Sequence, residues 1–192
     1  MKTPSSVTCT VCAQTAILDK TIAESLFTVA QGALQAQGID CGKRKYKLHF
    51  SNRRDLSERT GSESHLGWTD YRKVAFLGGL ISSKTINIYV LEGMPASQFI
   101  HVAAHELMHV WLFDHKRLSA DPQFTEGSCE YAGLLVITHL ALPDVVDMKR
   151  RMLRNADTTY GSGFRKVAQY VSENGVEAWL EYAKSNDDAP WE

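Results

Sequence analysis

The segment from Gln98 to Phe113 constrains the fold most, because Glu106 is its only formally charged residue. Its helical wheel has an apolar side and a histidine side, formed respectively by Phe99, Ala103, Leu107, Val110 and Trp111 and by His101, His105 and His109. Val102, Met108 and Leu112 flank the histidines, so the helix is apolar nearly all round, which is typical of a buried helix. The fold must therefore cover both sides of this helix and accommodate a carboxylate in its interior.

Residues 105–109 of this helix read H-E-x-x-H. Two histidines four residues apart project from one face of a helix, with their side chains about 5–6 Å apart. Both imidazoles can then reach one zinc ion at about 2.0–2.1 Å, with Glu106 placed to take a proton from bound water. We therefore predict His105 and His109 as zinc ligands and Glu106 as the catalytic base. The alternative is that both histidines are core residues bonded to backbone carbonyls and that Glu106 points into solvent.

A catalytic zinc usually takes three protein ligands, and the sequence offers two candidates for the third. His115 lies where H-E-x-x-H-x-x-G-x-x-H has its last histidine, but Leu112 replaces the glycine that lets the chain leave the helix. Glu126 lies in the first turn of a second long apolar helix, which can return antiparallel to the first. We predict Glu126 as the third ligand and Glu130, one turn later, as acceptor for a histidine N–H. Glu130 as the ligand, or Glu126 as a glutamate favoured only by the helix dipole, are the alternatives.

The order of the other elements indicates one α+β domain, with a helix first, then two or three strands, then helices. A helix is predicted near 18–37, strands near 46–50, 74–77 and 85–91, and a polar loop over 51–70. In the last strand Ile86, Ile88 and Val90 share one face, and its exposed edge is predicted to hold an extended peptide by strand addition. After the motif helix, four more helices are predicted near 124–142, 144–155, 163–173 and 176–184.

Composition argues against two classes of partner. The 192 residues carry 21 Lys and Arg and 22 Asp and Glu, which gives a net charge of −1 and a pI near 6.7. No dense basic stripe occurs, so we expect no nucleic-acid partner. No stretch of eighteen or more apolar residues and no secretion-like N-terminal run is present, so we expect no membrane partner and a cytoplasmic location.

Cys9 and Cys12 form a C-x-x-C pair, but no second pair follows, and the other cysteines, Cys41 and Cys129, are too scattered for a disulfide framework. A structural zinc site needs four ligands. The pair is thus half of a zinc knuckle whose other half lies upstream, two inert thiols, or a redox pair. We predict residues 1–16 as a knuckle-like remnant and residues 17–192 as a single zinc metallopeptidase domain.

Four stretches, in this order, point to a family: residues 89–95, 104–112, 126–129 and 160–165. Together they resemble the C-terminal peptidase domain of the DA-one family, which are LIM-domain proteins that restrict plant organ size and act as ubiquitin-activated zinc peptidases. The match is strongest over residues 85–165. It implies a zincin-like fold of the gluzincin type, in which a small sheet packs on the buried H-E-x-x-H helix and the C-terminal half is mostly helical.

The same resemblance implies roles for individual residues. It implies zinc ligands at His105, His109 and Glu126, and a base at Glu106. A cysteine pair that closes a LIM-like knuckle just upstream of the peptidase domain would account for Cys9 and Cys12. This chain has no complete LIM module and no ubiquitin-interacting helix, so dependence on ubiquitin is not expected of it.

The predicted function is zinc-dependent hydrolysis of a peptide bond in a protein or peptide substrate by a zinc-activated water. Glu106 would accept the water proton and pass it to the leaving amine. Tyr160 is the candidate donor to the oxyanion, with packing on the domain as its alternative role. Two other functions stay open: a non-catalytic zinc-binding interaction domain, and a regulatory protease with a single target.

Overall fold

The computed structural model describes residues 14–42, 45–75, 81–115, 121–185 and 189–191. Its elements in chain order are α1 (Lys20–Ala36), β1 (Tyr46–Ser51), α2 (Arg53–Thr60), β2 (Gly67–Ala75), β3 (Ile81–Leu91), α3 (Ala96–Asp114), α4 (Pro122–His139), α5 (Val145–Arg154), α6 (Tyr160–Asn174) and α7 (Val176–Ser185). The α+β class, with a small sheet and a mostly helical C-terminal half, is confirmed. Cys9 and Cys12 lie outside the described residues, so the knuckle-like segment stays a prediction.

The sheet has three strands in the order β1-β3-β2, with β1 parallel and β2 antiparallel to β3. Ile86, Ile88 and Val90 of β3 are all buried, as predicted, but Tyr89 and Leu91 on the other face are buried as well. The face that carries Ile88 packs on α3, since Thr69, which pairs with Ile88, bonds to Glu106 of α3. Because β3 pairs on both sides, the prediction that its edge holds a peptide is wrong. Strand β2, not β3, is the edge strand that lies beside the H-E-x-x-H motif of α3.

The prediction of a loop over residues 51–70 is also wrong, because this segment contains α2 and the start of β2. Asn52 caps α2 by accepting a hydrogen bond from the backbone N–H of Asp55, and Gly61 ends it at a φ of 72°. Only Leu56 of α2 is buried, so the helix has no apolar periodicity by which it can be recognised. Only its capping residues, Asn52 and Gly61, indicate this helix in the sequence.

Helix α3 lies at the centre of the molecule and is buried along nearly its whole length. The sheet and α1 pack against it, and α4 packs against another side. Helix α4 runs antiparallel to α3, since His109 lies beside Glu126 whereas His101 lies beside Glu130, one turn further along α4. Helix α6 in turn packs closely on α4, and none of the described helices is both long and apolar enough to cross a membrane.

Candidate metal centre

Two imidazoles of α3 and one carboxylate of α4 converge at the helix pair. Glu126 Oε2 lies 3.3 Å from His105 Nε2 and 3.5 Å from His109 Nε2. Pro122 begins α4, and Asp121 caps it by accepting a hydrogen bond from the backbone N–H of Gln123, which sets the first turns of this helix beside the motif. The structure thus brings together the three residues that the sequence predicts as zinc ligands.

The two distances from Glu126 Oε2 to the imidazole nitrogens fit ligands of one tetrahedral zinc ion. Two nitrogen or oxygen ligands at about 2.0–2.1 Å from such an ion lie about 3.3–3.4 Å apart. Glu126 Oε2 is buried and has no hydrogen-bond partner among the described residues, although both imidazole nitrogens are close. Buried carboxylate oxygens are normally satisfied, so this one needs a partner. A proton on the facing His105 ring supplies it in the metal-free protein, and a cation between the three atoms can replace that proton.

Cys129, which is not among the predicted ligands, belongs to the same cluster. Donor atoms of His105, His109 and Cys129 all lie within 4.8 Å of one another, so this buried group can hold a metal ion. Burial, followed by the charges of Glu126 and Glu106, raises the pKa of the Cys129 thiol well above 9.0. The glutamate is better placed as a ligand, because it is already ionised and its oxygen is at ligand spacing. The sequence could have indicated Cys129 as a ligand candidate, because it follows Glu126 at i+3 and such residues lie on one side of a helix.

The ionisation of the cluster follows from its pairing. Burial lowers the pKa of His105, but Glu126 and Glu130 outweigh burial and raise it well above 6.5. Burial raises the pKa of Glu126, but His105 and His109 outweigh burial and hold it well below its ordinary value. Without a metal, the cluster therefore retains a proton on His105 that a cation must displace.

Glu106 is 4% exposed and is held by β2. Thr69 Oγ1 donates a 2.6 Å hydrogen bond to Glu106 Oε2 and also lies 3.2 Å from the backbone carbonyl oxygen of Glu106. Gly67 leaves space for the other carboxylate oxygen, since a Cβ at this position would collide with Glu106 Oε1 and lie 2.8 Å from Val102 Cγ1. The edge strand thus both fixes the glutamate and makes room for it.

The carboxylate of Glu130 lies close to the rings of two histidines, His101 and His105. Its Oε1 lies 3.3 Å from His105 Nδ1, and its Oε2 lies 3.6 Å from His101 Nε2. His105 therefore has a carboxylate at each ring nitrogen, Glu126 at Nε2 and Glu130 at Nδ1. This is the arrangement in which one nitrogen binds a metal while the other donates its proton to a carboxylate.

The cluster lies in a cleft of about 670 Å³. The start of β2 forms one wall, with Gly67, Trp68 and Thr69, and the opposite wall comes from α5 and residues 155–160. Tyr160 lines this wall with its ring 6.3 Å from that of His105, centroid to centroid. Burial, followed by the charges of Glu126 and Glu106, raises the pKa of Tyr160 above 10.0, so its phenol stays protonated.

His115, the other candidate for the third ligand, does not belong to the cluster. Helix α3 continues through Leu112 to Asp114, and the His115 ring packs 4.3 Å from that of Trp111, centroid to centroid. Its Nδ1 is 2.8 Å from the carbonyl oxygen of Trp111, and His115 is not among the described residues that line the cleft. The helix continues through Leu112 because leucine, unlike glycine, favours neither a sharp exit nor a positive φ.

Comparison of the chain with protein-family models, with curated proteins and with solved structures gives no match.

Proposed function

We propose that the chain is a zinc-dependent peptidase whose metal is held by His105, His109 and Glu126. The observation that carries the proposal is the buried Glu126 Oε2, which lies 3.3 and 3.5 Å from two imidazole nitrogens, the separation expected of ligands that share one ion. Two nitrogens and one carboxylate form a set of three protein ligands that zinc uses in catalytic sites. The open cleft above them leaves room for water and substrate.

A zinc ion held by His105, His109 and Glu126 would lower the pKa of a water to about 7 and polarise the carbonyl of the scissile bond. Glu106 accepts the water proton and delivers it to the leaving amine. Thr69 holds one oxygen of Glu106 with its 2.6 Å hydrogen bond, so the proton is taken by the other oxygen, which faces Gly67. Tyr160 keeps its phenol proton and is the donor from the opposite wall to the oxygen that becomes negative.

The cleft also fits an extended peptide. Strand β2 pairs only with β3 among the described strands, so it is an edge strand, the kind of strand to which an extended peptide can add. Met148 and Met152 of α5 line the cleft as well and offer flexible apolar contact to substrate side chains. The substrate backbone then lies along β2, with its scissile carbonyl above the histidines.

The test is cleavage of a peptide library by Glu106→Gln at the same zinc content as the native protein. Glutamine keeps the size and the hydrogen bond from Thr69 but cannot take the proton. We expect full zinc and a rate lower by about 10²–10⁴-fold. Equal rates in the two proteins would remove Glu106 from the chemistry. A native protein that binds no zinc when dialysed against it would overturn the proposal as a whole.

A second candidate function is a structural zinc-binding domain, and the position of Cys129 favours it. If His105, His109, Glu126 and Cys129 all bind one ion, four protein ligands close the site and no position is left for water. Cys129→Ser separates the two proposals. A peptidase with Glu126 as its third ligand keeps its zinc and its activity, whereas a closed site with a thiolate ligand loses zinc affinity.

A further inference from the structure

His101 lies one turn before the H-E-x-x-H motif, and the proposed mechanism gives it no role. It is 7% exposed, and its Nε2 is a buried nitrogen without a hydrogen-bond partner in the described part of the chain. A buried polar atom without a partner is costly, so such atoms in folded proteins usually have one. Glu130 Oε2, at 3.6 Å, is the acceptor that His101 Nε2 faces.

Glu130 links His101 to the metal centre. One of its oxygens lies 3.3 Å from His105 Nδ1 and the other 3.6 Å from His101 Nε2, so the carboxylate spans two imidazoles on successive turns of α3. A carboxylate held at one oxygen can still rotate about its last bond. A contact at the second oxygen removes that freedom and thereby fixes the oxygen that faces His105.

Helix α4 is shaped to receive the His101 ring. A Cβ at Gly133 would lie 2.7 Å from both Cδ2 and Nε2 of His101, which is too close for any side chain larger than glycine. The ring therefore packs against the backbone of α4, and Glu130 lies one turn away on the same helix. Burial lowers the pKa of His101, so the ring is neutral and has one N–H, for which the backbone carbonyl and the carboxylate of Glu130 are the two neighbouring acceptors.

We propose that His101 is a positioning residue of the metal centre: it donates its Nε2–H to Glu130, which orients the His105 ring for zinc. The inference rests on the proposed function, because it assumes that His105 binds zinc through Nε2. If Nε2 binds the ion, His105 would carry its proton at Nδ1 and donate a hydrogen bond to Glu130, whose Oε1 lies 3.3 Å away. His101 thus acts through Glu130 and does not touch metal or substrate.

The experiment measures zinc affinity of the full chain by competition with a chromophoric chelator. His101→Gln keeps an N–H donor in place of Nε2, and His101→Leu fills similar space without a donor. We expect His101→Leu to weaken zinc binding by about 3–10-fold, less than the roughly 10–100-fold typical of residues that contact a metal ligand directly. His101→Gln should restore most of the affinity. A purely structural role predicts no such rescue, because glutamine fills the site less well than leucine.

A double-mutant cycle with Glu130→Ala tests whether the effect passes through Glu130. In the Glu130→Ala background, His101→Leu should leave zinc affinity unchanged. An equal loss in both backgrounds, or native affinity in His101→Leu itself, overturns the role of His101 and leaves the proposed function intact. Absence of zinc from the native protein overturns the proposed function instead, so the two failures are distinguishable.

Glycine variants test the same role of His101 without changing the histidine itself. Gly133→Ala should displace the ring and weaken zinc binding as His101→Leu does. Gly32→Ala, in α1, is the matched control, since nothing lies within 4 Å of its Cβ and alanine favours the helix. If His101→Leu fails to fold, as judged by circular dichroism, Gly133→Ala and His101→Gln carry the test. Native zinc affinity in Gly133→Ala would then overturn the inference.

Discussion

The apolar and the histidine sides of α3 are buried to a similar extent but are satisfied in different ways. On the apolar side, Phe99, Leu107 and Trp111 are at most 2% exposed and need only close packing. On the histidine side, His101 and His105 are 7–8% exposed, and carboxylates of α4 face their ring nitrogens. Packing tolerates any residue of the right volume, whereas a buried polar group requires a specific partner at a specific distance. Burial alone therefore does not identify the functional side, and the convergence of polar atoms does.

The largest expected effect comes from removing a ligand on the histidine side. His109→Ala and Glu126→Ala should each abolish stoichiometric zinc, a loss greater than the roughly 10–100-fold of residues that only orient a ligand. Elemental analysis after dialysis measures it. His115→Ala is the matched control, since this ring packs on Trp111. Full zinc in both ligand variants, or loss of zinc in His115→Ala alone, would contradict the assignment.

A truncated side chain on the apolar side should lower the stability of the protein and leave its zinc affinity unchanged. Leu107 is completely buried, and Leu107→Ala should lower the free energy of unfolding by about 2–5 kcal/mol through the cavity that it leaves. Urea unfolding in the presence of a chelator measures this loss, and a zinc titration of the folded variant should give native affinity. Weakened zinc binding without loss of stability would mean that the two sides of α3 are not separable.

A smaller effect on activity is expected from Thr69, whose partner Glu106 lies between the apolar and the histidine sides of α3. Thr69→Val removes the hydrogen bond to Glu106, a bond to an ionised group that is worth about 1.5–3 kcal/mol. The catalytic efficiency kcat/KM should fall by about 10–150-fold at unchanged zinc content. Thr69→Ser keeps the hydroxyl and should retain most of the activity. Native activity in Thr69→Val would show that Glu106 does not need β2 to hold it.

The smallest effect is the pH dependence of the histidine side. In chelator-treated protein, the raised pKa of His105 contributes stability that is complete below its unfolded pKa of 6.5 and is lost as pH rises through the folded value. The lowered pKa of Glu126 contributes stability that is complete above 4.5 and is lost as pH falls through its folded value. Both contributions are present together between pH 4.5 and 6.5.

Zinc competes with the proton on His105, so zinc affinity should rise with pH until the raised pKa of His105 is passed, by at most about tenfold per pH unit for one proton. Unfolding midpoints over pH 4–9 with chelator, and zinc titrations over pH 6–8, measure the two trends. A zinc affinity that does not change with pH would mean that His105 carries no proton in the metal-free protein.

The features that the sequence by itself determined are those set by neighbours along the chain. The near absence of charge from residues 98–113 predicts a buried helix, and the spacing of His105 and His109 puts both rings on one face of it. The alternation of Ile86, Ile88 and Val90 predicts a strand that buries these three side chains. The helix continues past His109 because Leu112 replaces glycine, which already argues against His115. Each of these follows from a periodicity or a backbone preference within a few residues.

Only the tertiary structure decided which distant segments meet at the motif. Strand β2 lies next to α3 because it pairs antiparallel with β3, and this register, not any local pattern, puts Thr69 at Glu106 and Gly67 beside it. The close approach of α4 brings Cys129 into the cluster and seats His101 against Gly133. Side-chain volume, strand register and helix packing act between residues far apart in the chain, so one sequence read locally does not contain their outcome.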